Sequence, residues 1–366
     1  MAGYEDPEDG VLIKASALRQ WTEALVQRVG TPPDIAADVA EVLLASDLRG
    51  IASHGTARLP YYIQLVEVGV MDPASRPVRE RGKLALARFN ANNGWGHHAG
   101  RIATDDALAR ARELGVAISI VRNTNHFGIA GWYAMRIAQA GLIGISLTNS
   151  SPNVAPTRAR IGMLGTNPIA VAAPAGRFGM LALDMATSTV PRGRIEVAAR
   201  RGETIPQDWA IGPDGAPTTT PEAALKGVLQ PLGGREETGG YKGYGLSLMV
   251  ELLTGILGDA AFGPHILGLF APEGPSNLGQ FFMAIDPAAL EDAQGFERRL
   301  ETLLDELTHA PVVPNAPGPV LYHGQLEAER AAKQAQRGIA LDQQHYMALL
   351  RLGEAHAIPF PQTRPL

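Results

Sequence analysis

The chain predicts an α/β protein of the α+β type: short strands in the middle, antiparallel ones among them, with a helical lobe formed by its N- and C-terminal segments. Three observations lead there. Helical spacing of apolar residues dominates both ends, one βαβ pattern occupies residues 116–147, and residues 165–240 are broken by Gly and Pro into short apolar runs. The expected division is residues 1–85 plus 288–366 for the helical lobe and residues 86–287 for the sheet domain.

The first helix is read from Leu18, Trp21, Leu25, Val26 and Val29, which recur at three- and four-residue spacing until Gly30. A second follows Pro32-Pro33, with Ile35, Val39, Val42 and Leu43 as its stripe and Gly50 as its stop. Residues 102–115 read as another helix, and residues 116–121 (VAISIV) as a buried strand. The polar turn Asn123-Thr124-Asn125-His126-Phe127-Gly128 comes next, then a helix over 129–140 and a strand over 142–147. That order sets the turn at the carboxyl end of a strand, where open α/β layers place ligands. Near the end, residues 296–307 are amphipathic and residues 325–350 read as one polar helical stretch.

Composition narrows the function. With 45% hydrophobic and 19% charged residues and a formal charge of -5, the 366-residue chain can bury a core and offers no basic block for nucleic acid. The absence of cysteine removes disulfides, thiolate metal sites and a Cys nucleophile. No apolar run reaches the roughly 20 residues of a membrane helix. The start, MAGYEDPEDG, is acidic where a leader would be basic, so a cytoplasmic protein is expected.

Chemistry then falls to His, Ser, Tyr, Lys, Arg and carboxylates. Ser53-His54-Gly55 with Arg58 and Tyr62 is the first polar cluster. Imidazole titrates near neutrality, and a guanidinium can grip a carboxylate through two parallel hydrogen bonds. A lone histidine is more often structural, but His126 in the strand-end turn gives this one a partner. His97-His98 is a decoy for metal, because adjacent residues cannot face one way on a helix or strand. Gly94-Trp95-Gly96-His97-His98-Ala99-Gly100 has the wrong glycine spacing for a dinucleotide loop and no preceding β run. Gly165-Thr166-Asn167-Pro168 can present N–H groups and an amide, and Asp184-Met185-Ala186-Thr187-Ser188 places a carboxylate at the end of an apolar run. Lys242 stands where a helix begins, suited to a diphosphate, and Glu251, inside that apolar helix, should be paired or at an edge.

Together Ser53-His54-Gly55-x-x-Arg58, Asn125-His126-Phe127-Gly128, Gly165-Thr166-Asn167-Pro168, Asp184-Met185-Ala186-Thr187-Ser188 and Tyr241-Lys242-Gly243-Tyr244-Gly245-Leu246 resemble the type-2 malate/L-lactate dehydrogenase family, in order, from about residue 18 to residue 341. That family includes ureidoglycolate and sulfolactate dehydrogenases, diketogulonate reductases and Δ1-piperideine-2-carboxylate reductases. The resemblance implies an oxidoreductase using NAD or NADP on a small carboxylate substrate, in a homodimer, with residues 86–287 as the cofactor-binding domain built on a non-Rossmann, mostly antiparallel mixed sheet flanked by helices. It implies His54 as proton donor with Ser53 and Asp184 as its relay, His126 as proton acceptor, and Arg58 and Tyr62 as substrate-binding residues. Cofactor contacts carried over are His126, Phe127, Gly128, Ile129, Ala130, Ser150, Thr166, Asn167, Asp184, Met185, Ala186, Lys242, Gly279, Gln280 and Phe281. No metal, nucleic acid or membrane is implied. The chain departs from its relatives at Thr157-Arg158-Ala159-Arg160, where they have a Gly-Gly-acid segment. Substrate readings are a 2-oxo/2-hydroxy acid, a cyclic imino acid or ureidoglycolate. A metal hydrolase on His54, His97, His98 and Asp184 and a binding protein without turnover are the rivals from other classes.

Overall fold

A computed structural model describes residue 7, residues 9–268, residue 271 and residues 273–366; most of the acidic N-terminal decapeptide lies outside them. The strands are β1 (Gly10–Ile13), β2 (Val78–Lys83), β3 (Leu86–Asn90), β4 (Val116–Thr124), β5 (Ile143–Thr148), β6 (Ile169–Pro174), β7 (Met180–Met185), β8 (Ala210–Ile211), β9 (Val228–Leu229), β10 (Leu278–Ile285), β11 (Ile339–Asp342) and β12 (Thr363–Pro365). The helices are α1 (Ala15–Arg28), α2 (Pro33–Leu48), α3 (Leu59–Glu67), α4 (Gly96–Leu114), α5 (Ala130–Gln139), α6 (Arg192–Arg201), α7 (Pro221–Lys226), α8 (Gly240–Glu251), α9 (Ala293–Thr308), α10 (Gln325–Arg337) and α11 (Gln343–Ala355).

The main sheet has seven strands in the order β2-β3-β4-β10-β5-β6-β7. Only β3 and β4 pair in parallel; the other neighbours are antiparallel. The βαβ unit expected over residues 116–147 is present as β4-α5-β5, but its strands are not neighbours. β10 lies between them, antiparallel to both, with Phe281 opposite Ile120 on one side and Leu147 on the other.

Side chains alternate across a strand, and β10 uses that alternation fully. Phe282 points to the face covered by α4 and α5, among Val121, Phe127 and Tyr133. Phe281 points to the opposite face, with Ile120, Leu147 and Val250 under α8. Burying a side chain of this size stabilises by about 1.5–3 kcal/mol, so the inserted strand is held from both sides.

One sequence reading is corrected here. The Gly94 to Gly100 segment does follow a strand, β3, which runs parallel to β4 and makes β3-α4-β4 a second βαβ unit. Leu86-Ala87-Arg88-Phe89-Asn90 is short and carries Arg88, so its apolar signal is diluted although Ala87 and Phe89 are buried.

The terminal segments pack together, as their helical periodicity implied, around Leu18, Leu25, Val39, Leu43, Ile63 and Leu349. They are also stitched by a three-stranded sheet in which β1 sits between β11 and β12. The expected single helical stretch over 325–350 is therefore two helices separated by a strand. Gly338 (φ 105°) ends α10 in a conformation other residues rarely adopt, and Ile339 and Leu341 pair with β1.

Candidate active site

The Ser53-His54-Gly55 segment forms two single turns of 3-10 helix, residues 52–54 and 56–58, between α2 and α3. A carboxylate from α2 fixes its path. Asp47 Oδ2 accepts from the Thr56 backbone N–H at 3.0 Å and from the Thr56 hydroxyl at 2.6 Å. His345 Nε2 on α11 bonds the same hydroxyl at 3.0 Å, and Gln334 on α10 donates to the Asp47 carbonyl. A Cβ at position 55 would stand 1.8 Å from Asp47 Oδ1, which explains the glycine.

Held this way, the loop delivers His54 to His126. Their ring centroids are 5.5 Å apart, and both residues are half-buried. Ser53 Oγ bonds His54 Nδ1 at 2.9 Å, and Arg58 Nε donates to the Ser53 carbonyl at 2.5 Å. On α3, Tyr62 Oη lies 2.6 Å from His126 Nδ1, which also accepts the Gly128 N–H at 3.3 Å. The turn carrying His126 is pinned from two sides. Asn125 donates to the Asn93 and Gly94 carbonyls, and Gln280 on β10 donates to the Gly96 and Asn125 carbonyls and to Thr124.

The electrostatics follow from burial and one cation. Burial, then Arg58, holds His54 down to about 4. His126 is also held well below its usual value, first by burial and then by His54, His97 and Arg58. Burial pushes the Tyr62 phenol up, with Arg58 opposing. Arg58 thus acts on all three groups, so guanidinium, phenol and two imidazoles share one locality.

The remaining expected residues take varied positions. Phe127, Gly128, Ile129 and Ala130 are buried between His126 and the start of α5. Asp184, on β7 with Met185 and Ala186 just beyond, accepts the Gly131 N–H at 2.8 Å in the first turn of α5. Ser150 is buried; its Oγ accepts the Thr166 N–H at 3.1 Å, and its own N–H donates to Asn167 Oδ1 at 3.1 Å. The Asn167 amide donates to Glu251 Oε1 at 3.0 Å and to Ser247 Oγ at 3.1 Å. Asn149 donates to Glu251 Oε2 at 3.1 Å and accepts the Gly279 N–H at 2.9 Å. Glu251 is paired, as expected, but with amides. Gly279, Gln280 and Phe281 open β10, and Lys242 is exposed in the first turn of α8, 5.8 Å from the Tyr241 ring centroid.

This donor set fits a dinucleotide. It offers an exposed ammonium, the hydroxyls of Ser150 and Thr166, and close-packed backbone at Gly165, where a Cβ would meet Ser150 Oγ at 2.2 Å. Arg158, at the departure from the relatives' pattern, is paired with Glu236 at 2.8 Å through Nε.

Two participants escaped the sequence reading. Arg49, the residue after α2, acts electrostatically on Asp184 and Glu327. His97 is fully buried with its ring 5.1 Å from Tyr62 and edge-on to it, and neither ring nitrogen has a hydrogen-bond partner among the described residues. Its neighbour His98 turns the other way, onto Asp38 at 2.6 Å. The pair diverges as adjacent helical residues must. Among the described residues no three His, Asp or Glu side chains are grouped to hold a metal.

Comparison with known proteins agrees with this picture. The profile of the malate/L-lactate dehydrogenase family matches residues 13–350. A malate dehydrogenase of Pyrococcus abyssi is 42% identical over 317 residues, 86% of each chain. An L-sulfolactate dehydrogenase of Methanothermobacter thermautotrophicus is 36% identical over 319 residues, 87% of this chain and 89% of that one. The solved structure of malate dehydrogenase from Pyrococcus horikoshii superposes with a TM-score of 0.90 at 33% identity, covering 98% of this chain and 99% of the other. The family match spans most of the chain and the fold superposes over nearly all of it, and the chain belongs to the malate/L-lactate dehydrogenase family.

Proposed function

We propose that the chain is an NAD- or NADP-dependent dehydrogenase that interconverts a small 2-hydroxy acid and its 2-oxo acid, with His54, His126, Arg58 and Tyr62 at the reacting end of the substrate. The observation that supports this most is the meeting of two imidazoles, 5.5 Å apart, in the field of one guanidinium. Oxidation of a 2-hydroxy acid removes a hydride from carbon and a proton from oxygen. The nicotinamide, when bound, accepts the hydride and returns it in reverse. The proton belongs to an imidazole, a role contributing roughly a hundredfold to ten-thousandfold in rate.

Arg58 suits the substrate carboxylate because a guanidinium can donate to both oxygens and so fix the adjacent carbon. An arriving carboxylate also offsets the charge that helps hold His54 down to about 4. Substrate binding therefore raises the affinity of His54 for the proton it must handle. Ser53 bonds the same ring and orients it. Ser150, Thr166 and Lys242 are assigned to the cofactor, with the Asn167 amide acting through the Ser150 N–H.

The lobes of residues 1–85 plus 288–366 and of residues 86–287 would then meet at this site, between the His54 loop and the His126 turn. A homodimer is supported by exposed apolar side chains on α8 and the π-helical turn after it, including Leu248, Met249, Leu252 and Ile256. A cytoplasmic location remains part of the proposal; among the described residues no helix is long and apolar enough to cross a membrane.

The test is a panel of 2-oxo, cyclic imino and ureido-hydroxy acids with both nicotinamide nucleotides, followed by absorbance, on wild type and Arg58→Lys. Turnover of a 2-oxo acid is expected, with KM for the acid raised about tenfold or more in Arg58→Lys because Lys cannot make the two-point contact. Absence of turnover with every acid and both nucleotides rejects the reading.

A further inference from the structure

The loop of residues 52–58, which carries His54 and Arg58, is held by side chains from far along the chain. Asp47, Thr56, Gln334 and His345 are all buried and share one set of hydrogen bonds. Asp47 Oδ2 accepts the Thr56 backbone N–H at 3.0 Å, so it presents lone pairs, and the Thr56 hydroxyl, 2.6 Å away, points its hydrogen at the same oxygen. A hydroxyl has a single hydrogen. His345 Nε2 lies 3.0 Å from Thr56 Oγ1 and must supply the hydrogen of that bond itself, so His345 carries a hydrogen on Nε2.

The direction of these bonds gives His345 a task. With its hydrogen committed to Asp47, Thr56 needs a donor on its other side, and α11 provides one. The imidazole is itself set in place at the start of that helix, where the His345 backbone N–H donates to Asp342 Oδ1 at 2.8 Å. A second donor from the C-terminal segment reaches the same part of α2: Gln334 donates to the Asp47 and Leu48 carbonyls, both at 2.9 Å, and accepts the Ala340 N–H at 2.8 Å. Asp47 Oδ1 is buried with no partner among the described residues, so the carboxylate depends on what reaches Oδ2. Burial raises the Asp47 carboxyl above its ordinary range, and His345 and the two Thr56 donors oppose that rise.

We infer that His345 is a positioning residue for the reaction: its Nε2–H, acting through the Thr56 hydroxyl on the Asp47 carboxylate, keeps residues 52–58 where they bring His54 beside His126. The inference deepens the dehydrogenase reading above and rests on it. His345 acts through the loop and has no part in the chemistry. A misplacement of about 1 Å at a reacting group can lower a rate by about a hundredfold. Ser150, Thr166 and Lys242, assigned to the cofactor, stand on other elements, so a displaced loop should lower kcat and leave nucleotide affinity alone.

His345→Gln keeps an N–H donor, His345→Leu removes it, and Thr56→Val removes the hydroxyl between the imidazole and the carboxylate. In turnover of a 2-oxo acid, kcat is expected to fall about tenfold or more in His345→Leu and in Thr56→Val, and to stay within about threefold of wild type in His345→Gln. The Kd for the nicotinamide nucleotide, read by tryptophan fluorescence, should stay within about twofold in all three. Because the effect runs through Thr56, the double variant His345→Leu/Thr56→Val should be no slower than Thr56→Val alone. An unchanged kcat in His345→Leu, a His345→Gln as slow as His345→Leu, losses that multiply in the double variant, or a nucleotide Kd that weakens in step with kcat overturns the positioning role. If His345→Leu does not fold, Thr56→Ser against Thr56→Val makes the comparison: Ser keeps the hydroxyl and is expected to keep the rate, and equal losses in the two overturn the role. Nitrogen NMR of histidine-labelled wild type, with His345→Gln identifying the signal, reads the bond without turnover. A hydrogen on His345 Nε2 is expected at neutral pH, and the Nδ1–H tautomer overturns the chain of bonds. A wild-type protein that turns over no 2-oxo acid overturns the dehydrogenase reading and the positioning role with it, while the NMR result separately judges the bonds.

Discussion

Gly55→Ala is the sharpest perturbation the structure offers, because the added atom has nowhere to go. Its Cβ would lie 1.8 Å from Asp47 Oδ1 and 2.5 Å from Asp47 Cγ. Relief can come in two ways. Asp47 can swing out, losing its bonds to the Thr56 N–H and hydroxyl, each worth about 1.5–3 kcal/mol when one partner is charged. Alternatively the backbone can shift, and overpacking of a filled interior costs about 1–3 kcal/mol. The shift is resisted because Gln334 holds the Asp47 carbonyl and His345 holds the Thr56 hydroxyl. The cheaper route sets the loss, so we expect about 2–3 kcal/mol in urea unfolding, and a lower kcat because the displaced loop carries His54. Gly55→Ala/Asp47→Ala should be less damaging than the sum of the two single changes, since the clashing carboxylate is gone. Strict additivity, or an unchanged midpoint in Gly55→Ala, would refute the explanation of the glycine.

Two further outcomes follow from buried groups. His97 is fully buried without a hydrogen-bond partner among the described residues, and burial holds it down to about 3. The unfolded chain therefore binds a proton near the usual histidine value that the folded chain refuses. Stability falls as pH drops from about 6.5 toward that depressed value, by about 1.4 kcal/mol per pH unit for one proton. His97→Leu should leave stability at pH 8 within about 1 kcal/mol and remove one proton's worth of this slope; an unchanged slope in unfolding measured from pH 8 to pH 5 contradicts it. Glu251→Ala takes one acceptor from each of the Asn149 and Asn167 amides and leaves the Gly263 N–H without its carboxylate, costing about 1–3 kcal/mol. Nicotinamide nucleotide affinity, read by tryptophan fluorescence, should weaken by at least tenfold with the KM for the acid little changed; equal effects on both would show the network to be structural alone.

What could be read from residue order and what could not divide along a physical line. Local periodicity suffices for α1, α2, β4, α5 and β5, because each buries one face set by near neighbours in sequence. The imidazole pair and Arg58 were legible for a different reason: few residue types handle protons or grip carboxylates, and here they cluster in polar turns. Register was not legible. β10 pairs with β4 and β5 from more than 120 residues downstream, and nothing in Leu278 to Ile285 names its partners. The strand between α10 and α11 was passed over too, because Gly338 breaks the helical run for only the few residues from Ile339 to Asp342. His97 looked dispensable because its adjacent twin made metal binding improbable, yet the same divergence that separates it from His98 turns it toward Tyr62. The Asp47, Thr56 and His345 contact joins three positions up to 298 residues apart, and no local pattern encodes it.

The placement of β10 also sets an order of assembly. A ribosome releasing this chain delivers β4, the His126 turn, α5 and β5 long before the strand that must slot between the two flanking ones. Until that strand arrives, β4 and β5 each present an unsatisfied ladder edge and half of a greasy layer meant for Phe281 and Phe282. The sheet is thus completed late in synthesis, and nascent chains halted before residue 285 should be the ones that chaperones hold and that aggregate when released.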